Sequence, residues 1–81
     1  MIDQQLREET EKWLARIKEK KNNVVAKDEK AKEHLKNMEA YISDSEYFLK
    51  KGDLVRAFEA VVWAWAILDM LEKLELVEWK C

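Results

Sequence analysis

Residues 48–58 read FLKKGDLVRAF and contain the only glycine of the chain, Gly52. Lys50 and Lys51 precede it, and two cations in a last helical turn suit the negative end of a helix. Glycine is favoured just after a helix because it adopts the left-handed backbone conformation without strain. Asp53 follows at once and is a strong N-cap residue. The stretch therefore predicts that one helix ends near residue 51, that the next begins near residue 54, and that the two are antiparallel neighbours.

Small and apolar residues recur at helical spacing on both sides of this reversal, which predicts two amphipathic helices over about 28–51 and 54–74. Asp28 is the expected N-cap of the first of these helices. The predicted inward-facing positions are Ala31, Leu35, Met38, Ile42, Ser45 and Leu49 before the turn and Ala57, Val61, Ala64 and Leu68 after it. On a helical wheel, Val61, Ala64 and Leu68 fall within about 40° of Ala57.

A further helix is predicted over about residues 2–25, where apolar residues form one narrow stripe among lysines and glutamates. Asn22 and Asn23 lower helix propensity near its end, so we place a break before Asp28. A single long helix running through this point is the alternative. The predicted fold is thus an all-α, up-and-down three-helix bundle forming one domain over residues 1–81, with a short C-terminal tail that folds back on it.

Composition agrees with this fold class. The chain has 81 residues, one glycine and no proline, and its residues are 48% hydrophobic and 40% charged. An all-β fold is excluded because repeated tight turns depend on glycine, asparagine and proline. A chain of this size buries one modest core and has no room for a deep catalytic cleft. The expectation is therefore a protein that is not an enzyme and has no cofactor.

Location is predicted from the charge pattern and the single cysteine. The net charge is −2, and the longest apolar run, residues 60–68, has nine residues. A membrane-spanning helix needs about 20 apolar residues, so no membrane partner is expected. Residues 1–5 lack the features of a signal peptide. Cys81 is the only cysteine, which excludes an internal disulfide and favours a reducing, cytoplasmic location.

The sequence resembles two known patterns, one around the turn and one over more of the chain. Residues 48–58 resemble the mid-turn of a tetratricopeptide repeat, with Ser45, Ala57 and Ala64 at the small positions that let two helices approach closely. More of the chain resembles a family of small archaeal proteins of unknown function. The similar segments are EKWL at 11–14, YISDSEYFL at 41–49, GDLVRAFEA at 52–60, WAWA at 63–66 and EW at 78–79.

The family resemblance implies a compact three-helix bundle and supplies no catalytic residues. Relatives often have a glycine-containing end to the last helix, where this chain has residues 72–75, EKLE. The resemblance therefore implies a third helix that runs further than in relatives.

The third helix has more apolar surface than two neighbouring helices can cover. Its apolar arc is about 240° wide, whereas a surface helix normally has an arc of about 100° or somewhat more. Trp63 and Trp65 point about 200° apart. Either the first helix covers one indole and the C-terminal tail covers the other, or one flank is an interaction surface. The expected interaction residues are Phe58, Trp63, Trp65, Ile67, Met70 and Leu74.

Polar residues near the turn form a second candidate site. Arg56 lies in the first turn of the third helix, where the helix dipole disfavours a cation, so we expect Asp44 or Asp53 to pair with it. One interpretation is an ion pair across the helical hairpin. The alternative is a site for a small anion or nucleotide. The candidate residues of this cluster are Tyr41, Asp44, Tyr47, Asp53, Arg56 and Glu59.

Other chemistry has little support in the sequence. His34 is the only histidine and has no His or Cys partner at ligand spacing, so no metal site is expected. Cys81 has no base or motif nearby. The basic residues of the first helix, such as Arg16 and Lys20, are predicted to scatter around its axis, so no nucleic-acid partner is expected. Lys18 and Lys21 are also predicted to point in different directions, and the negative charge of Glu19 partly cancels the positive charge of this segment.

These observations favour a non-catalytic interaction module that forms a homodimer or binds an unknown protein partner. The alternative is an accessory domain that binds a nucleotide or anion near Arg56 and assists a separate enzyme.

Overall fold

Three long helices and a small antiparallel ribbon make up the computed structural model, which describes residues 2–80. The elements are α1 (Ile2–Asn23), β1 (Val24–Ala26), α2 (Glu29–Lys51), α3 (Leu54–Lys73) and β2 (Val77–Trp79). The predicted all-α, three-helix arrangement is confirmed, with the two short strands as an addition to it. Helix α3 packs most extensively on α2 and also carries α1, so it is the central element of the fold.

The reversal between α2 and α3 forms as the sequence predicts. Gly52 has φ 79°, and its N–H donates to the Leu49 carbonyl at 3.1 Å. The Asp53 N–H donates to the Phe48 carbonyl at 2.9 Å, which completes the C-terminal cap of α2. The Asp53 carboxylate then accepts a hydrogen bond from the Arg56 N–H at 3.2 Å and caps α3. Backbone groups at the end of α2 and at the start of α3 therefore find hydrogen-bond partners within a few residues of the turn.

The core lies along the contact between α2 and α3. All four predicted inward positions of α3 are buried, and α1 adds Leu14 and Ile17. On α2, Met38, Ile42 and Ser45 are buried, whereas Leu35 and Leu49 are half-buried. The α3 residues buried in the core include Ala57, Val61, Ala64 and Leu68. Helical spacing therefore identifies the facing positions of this hairpin correctly.

Helix α1 contains a buried polar residue that the apolar pattern misses. Thr10 is fully buried, and its hydroxyl donates to the Leu6 carbonyl one turn earlier at 2.8 Å. This local bond satisfies the hydroxyl, so the threonine can be buried on the same helix face as Leu6 and Leu14.

The break after α1 is a strand, which corrects two expectations. Helix α1 ends at Asn23 rather than near residue 25, and the alternative of a continuous helix is wrong. Val24–Ala26 pairs antiparallel with Val77–Trp79, and Val24 lies opposite Trp79. β-Branched valines favour the extended conformation, and the two asparagines before them weaken the helix. The tail thus folds back on the bundle by strand pairing.

Helix α3 does not extend beyond Lys73, although its end lacks glycine. Glu75 has φ 57°, the left-handed conformation in which glycine is usually found. The Glu75 N–H donates to the Glu72 carbonyl, and the Leu76 N–H donates to the Leu71 carbonyl, both at 3.0 Å. Glutamate therefore serves as a strained substitute for a glycine cap, and α3 ends one residue before the predicted end near residue 74.

The ribbon closes one end of the bundle. Val77 is buried together with Ala31 of α2 and Leu71 of α3 in a second apolar cluster. Leu76 and Met70 are half-buried against the same cluster. The tail therefore covers the α2–α3 end of the core.

Candidate functional site

The two tryptophans at the centre of α3 lie in different environments. The Trp65 indole N–H donates to the Trp13 carbonyl oxygen at 3.2 Å. The rings of Trp65 and Trp13 meet edge to face, with centroids 5.4 Å apart. Helix α1 therefore covers Trp65, as one of the two interpretations of the sequence requires.

Trp63 lies on the other flank of α3 and stays 58% exposed. One face of its ring stacks on Tyr41 of α2, with centroids 6.4 Å apart and planes 22° apart. The tail does not reach it, because the ring of Trp79 lies instead against the Lys20 ammonium group of α1, 5.1 Å from the ring centroid. The expectation that the tail covers the second indole is wrong.

A stripe continues from Trp63 along α3 at spacings of four, three and four residues. We call it the Trp63 stripe; its members are Trp63, Ile67, Met70 and Leu74. Ile67 and Met70 are half-buried, and Leu74 is 60% exposed. Beside the first two members lies a depression of about 530 Å³ whose α2 wall includes Asn37, Tyr41 and Asp44. The hairpin thus presents an apolar face with an aromatic residue at one end.

The six residues predicted as an interaction surface do not come together. Phe58 and Trp65 lie on the α1 side of α3, where they line an apolar depression of about 300 Å³ with Trp13 and Val62. The four members of the Trp63 stripe lie on the opposite flank. Periodicity shows that these directions differ, but it does not show which one α1 occupies.

Arg56 pairs with a neighbour in its own turn of helix. Its Nε lies 3.6 Å from an Asp53 carboxylate oxygen, so the ion pair is local and does not join the two helices. Its guanidinium also lies over the Phe48 ring, 5.9 Å from the centroid. Asp44 and Glu59 line the same shallow depression, of about 280 Å³. The expected pairing of Arg56 with Asp53 is present, but the interpretation of an ion pair across the hairpin is wrong.

The two tyrosines of the predicted polar cluster are separated. Tyr41 lines the depression beside Arg56 and stacks on Trp63. Tyr47 is exposed elsewhere on α2, with its ring against Phe48 and the Lys51 ammonium group over its face. The cluster around Arg56 therefore contains Tyr41, Asp44, Asp53 and Glu59 but not Tyr47.

The described residues, 2–80, contain few side chains suited to catalysis or metal binding that lie close together. Within that range, no group of three or more His, Cys, Asp or Glu side chains is placed to hold a metal ion. His34 is half-buried on α2, and Cys81 lies outside the described residues. Every buried side-chain nitrogen and oxygen of the described part of the chain has a hydrogen-bond partner. None of the helices between residues 2 and 80 has the length and apolarity needed to cross a membrane.

Comparison with known proteins gives two matches. The model of the family described as "Protein of unknown function (DUF357)" matches residues 7–77. The crystal structure of protein AF1782 from Archaeoglobus fulgidus, a protein described with the same family model, is 48% identical in sequence, and its TM-score with this chain is 0.90. The match covers 99% of this chain and 100% of that one. No curated protein matches the chain. The chain therefore belongs to the DUF357 family, a family of unknown function.

Proposed function

We propose that this chain is a non-catalytic interaction module that forms a homodimer through the Trp63 stripe. The exposed indole of Trp63 is the observation that carries the proposal. Its neighbour Trp65 is covered by α1, whereas Trp63 heads a line of apolar side chains that ends at Leu74. Apolar surface of this kind is stabilised when it is removed from water.

The composition of the stripe supports an interface. Tryptophan, tyrosine and methionine are enriched in protein–protein contacts, and tryptophan is among the residues that contribute most binding energy. The stripe contains Trp63 and Met70, and Tyr41 holds the indole in place from α2. A preformed aromatic side chain loses little conformational freedom on binding, which favours association.

Charges beside the stripe support an antiparallel arrangement of the two copies. Lys30, Asn37 and Asp44 are seven residues apart and therefore share one face of α2. Asp44 lies beside Trp63, so Lys30 lies toward the Leu74 end of the hairpin. Neither charge has an ion-pair partner among residues 2–80. A twofold axis across the stripe brings Asp44 of each copy toward Lys30 of the other.

The size of the surface predicts a weak dimer. The stripe and its polar margin would bury on the order of 500–600 Å² per copy, near the lower limit for specific interfaces. We therefore expect dissociation in the micromolar range rather than the nanomolar range.

Sedimentation equilibrium over micromolar to millimolar concentrations tests the proposal. The expected result is a concentration-dependent dimer that Trp63→Lys abolishes while the melting temperature stays nearly unchanged. Val62→Lys is the matched control, because Val62 is the adjacent residue, is 48% exposed and points to the other flank. A monomer throughout the range, or a dimer lost in Val62→Lys and kept in Trp63→Lys, contradicts the proposal.

The anion-binding alternative finds less support. Asp53 already pairs with Arg56, and Asp44 and Glu59 add negative charge to the same depression. Three carboxylates around one guanidinium repel a phosphate or carboxylate ligand. A self-associating module is the function that the arrangement of the described residues favours.

A further inference from the structure

A second surface forms where the C-terminal strand meets the end of α1. Trp79 lies opposite Val24 in the ribbon, and the Lys80 N–H donates to the Asn23 carbonyl at 2.7 Å. The pairing brings the last described residues beside a helix more than 50 positions earlier in the chain. A depression of about 320 Å³ results, which is at the lower end of the range for small-ligand sites.

The walls of this depression combine cations with an aromatic ring. Its lining residues are Arg16, Glu19, Lys20, Asn23 and Trp79. Arg16 and Lys20 are one helical turn apart on α1 and so share a face. The Lys20 ammonium group lies 5.1 Å from the Trp79 ring centroid, and the Arg16 guanidinium lies 5.1 Å from that of Trp13. Two cations, Arg16 and Lys20, thus lie between the rings of Trp13 and Trp79.

The positive charges of this surface are largely uncompensated. Arg16, Lys20 and Lys80 make no ion pair with any residue between 2 and 80. Glu19 is the only acidic residue in the lining of the depression. Trp79 is 40% exposed, so part of the residue is accessible to a ligand beside Lys20.

We infer that this surface binds a nucleotide unit of single-stranded nucleic acid. Proteins that hold single strands combine a positively charged groove for the phosphates with aromatic side chains on which the bases stack. Here Trp79 offers the stacking surface, and Arg16, Lys20 and Lys80 attract the phosphates. The expectation of no nucleic-acid partner rests on basic residues scattered around α1. Pairing of the tail places an indole beside two of these residues, Arg16 and Lys20, and brings Lys80 to the same end of the helix.

The inference is independent of the proposed dimer, because the Trp63 stripe and this surface share no residue. Fluorescence anisotropy with a labelled oligouridylate at low salt tests it in the full chain. We expect micromolar binding that weakens about tenfold in Trp79→Ala, whereas Trp79→Phe retains most of the affinity because phenylalanine also stacks. Lys20→Gln should weaken binding. It should also reduce the slope of log Kd against log salt concentration by about the amount that one phosphate contact contributes.

Trp63→Ala is the control, because it removes an exposed indole at another site and should leave the anisotropy change intact. Competition with adenosine monophosphate distinguishes a strand from a free nucleotide, since both offer a base and a phosphate. Displacement of the labelled strand at the same concentration of nucleotide units supports a mononucleotide as the ligand. Weak displacement supports a strand. The inference is overturned if the labelled strand does not bind the chain at low salt. It is also overturned if Trp79→Ala and Trp79→Phe bind the strand as tightly as the unaltered chain does, or if polyglutamate competes for the site as well as RNA does.

Discussion

The Ser45 hydroxyl is a buried polar group between α2 and α3. It is fully buried and donates to the Ala57 carbonyl at 2.7 Å. The bond joins two residues on either side of the turn at a place where only small side chains fit. Serine therefore suits this position in two ways, because its side chain is small and because its hydroxyl donates a hydrogen bond.

Two substitutions at Ser45 should separate these contributions. Ser45→Ala is expected to lower the free energy of unfolding by about 1 kcal/mol through loss of one hydrogen bond. Ser45→Val adds bulk at the close approach and should cost a further 1–3 kcal/mol, approximately, through overpacking. Urea denaturation measures both values. Equal stability of the two variants would show that the helices have room to separate here.

Glu75 gives a prediction in the opposite direction. A non-glycine residue in the left-handed conformation costs roughly 1–2 kcal/mol, and part of this is offset by the lower entropy of its unfolded state. Glu75→Gly should therefore raise the free energy of unfolding by about 0.5 kcal/mol. Glu72→Gly is the matched control within α3 and should lower it by about 1 kcal/mol. A loss of stability in Glu75→Gly would mean that the glutamate side chain stabilises the cap.

At the scale of elements, the β1–β2 ribbon has an inner and an outer face. Val77 faces the core, where it packs with Ala31 and Leu71, whereas Val25 is exposed on the other side. The ribbon has only three residues in each strand, and an isolated pair of strands of this size is not stable in water. Its stability therefore comes from the apolar cluster that it covers.

Val77→Ala and Val25→Ala test this asymmetry. The first removes two buried methyl groups and should cost about 1–2 kcal/mol. The second acts at the surface and should change stability by no more than about 0.5 kcal/mol. Thermal unfolding followed by circular dichroism distinguishes them. Similar losses in the two variants would indicate that strand propensity, rather than burial, holds the tail.

For the whole molecule, the uneven distribution of charge matters more than the net charge of −2. Residues 1–36 contain 10 basic and 8 acidic residues, whereas residues 37–81 contain 5 basic and 9 acidic residues. Among residues 2–80, carboxylates without an ion-pair partner lie beside the Trp63 stripe, and cations without one lie beside Trp79. The two proposed surfaces would therefore suit partners of different chemistry, even though the net charge of the molecule is small.

A charge-reversal series tests the arrangement of the proposed dimer. Asp44→Lys should weaken self-association about five- to tenfold, because it places like charges at the margin of an antiparallel pair. Adding Lys30→Asp should recover most of the loss, since each reversed charge again faces its opposite. Sedimentation equilibrium at low and high salt supplies the dissociation constants. Failure of the double variant to recover affinity would exclude the antiparallel arrangement while leaving the Trp63→Lys test unaffected.

The sequence by itself determined the helical hairpin and its core. Asp28, Gly52 and Asp53 specify helix ends through their own side chain or backbone, and the 3.6-residue period specifies the buried face. These signals are local, so a single sequence contains them. Tyr41 shows where local signals stop: its position on α2 is predictable, but its stacking on Trp63 depends on the register of two packed helices.

Only the tertiary structure decided which indole of α3 is exposed. The periodic pattern shows that Trp63 and Trp65 point in different directions but not which of them is covered. Which indole is exposed depends on the flank of α3 that α1 occupies. The tertiary structure also decided the strand pairing of Val24 with Trp79 and the surface that it brings together with Lys20. Contacts between residues 50 or more positions apart depend on how whole elements pack, and no local preference of the chain encodes that choice.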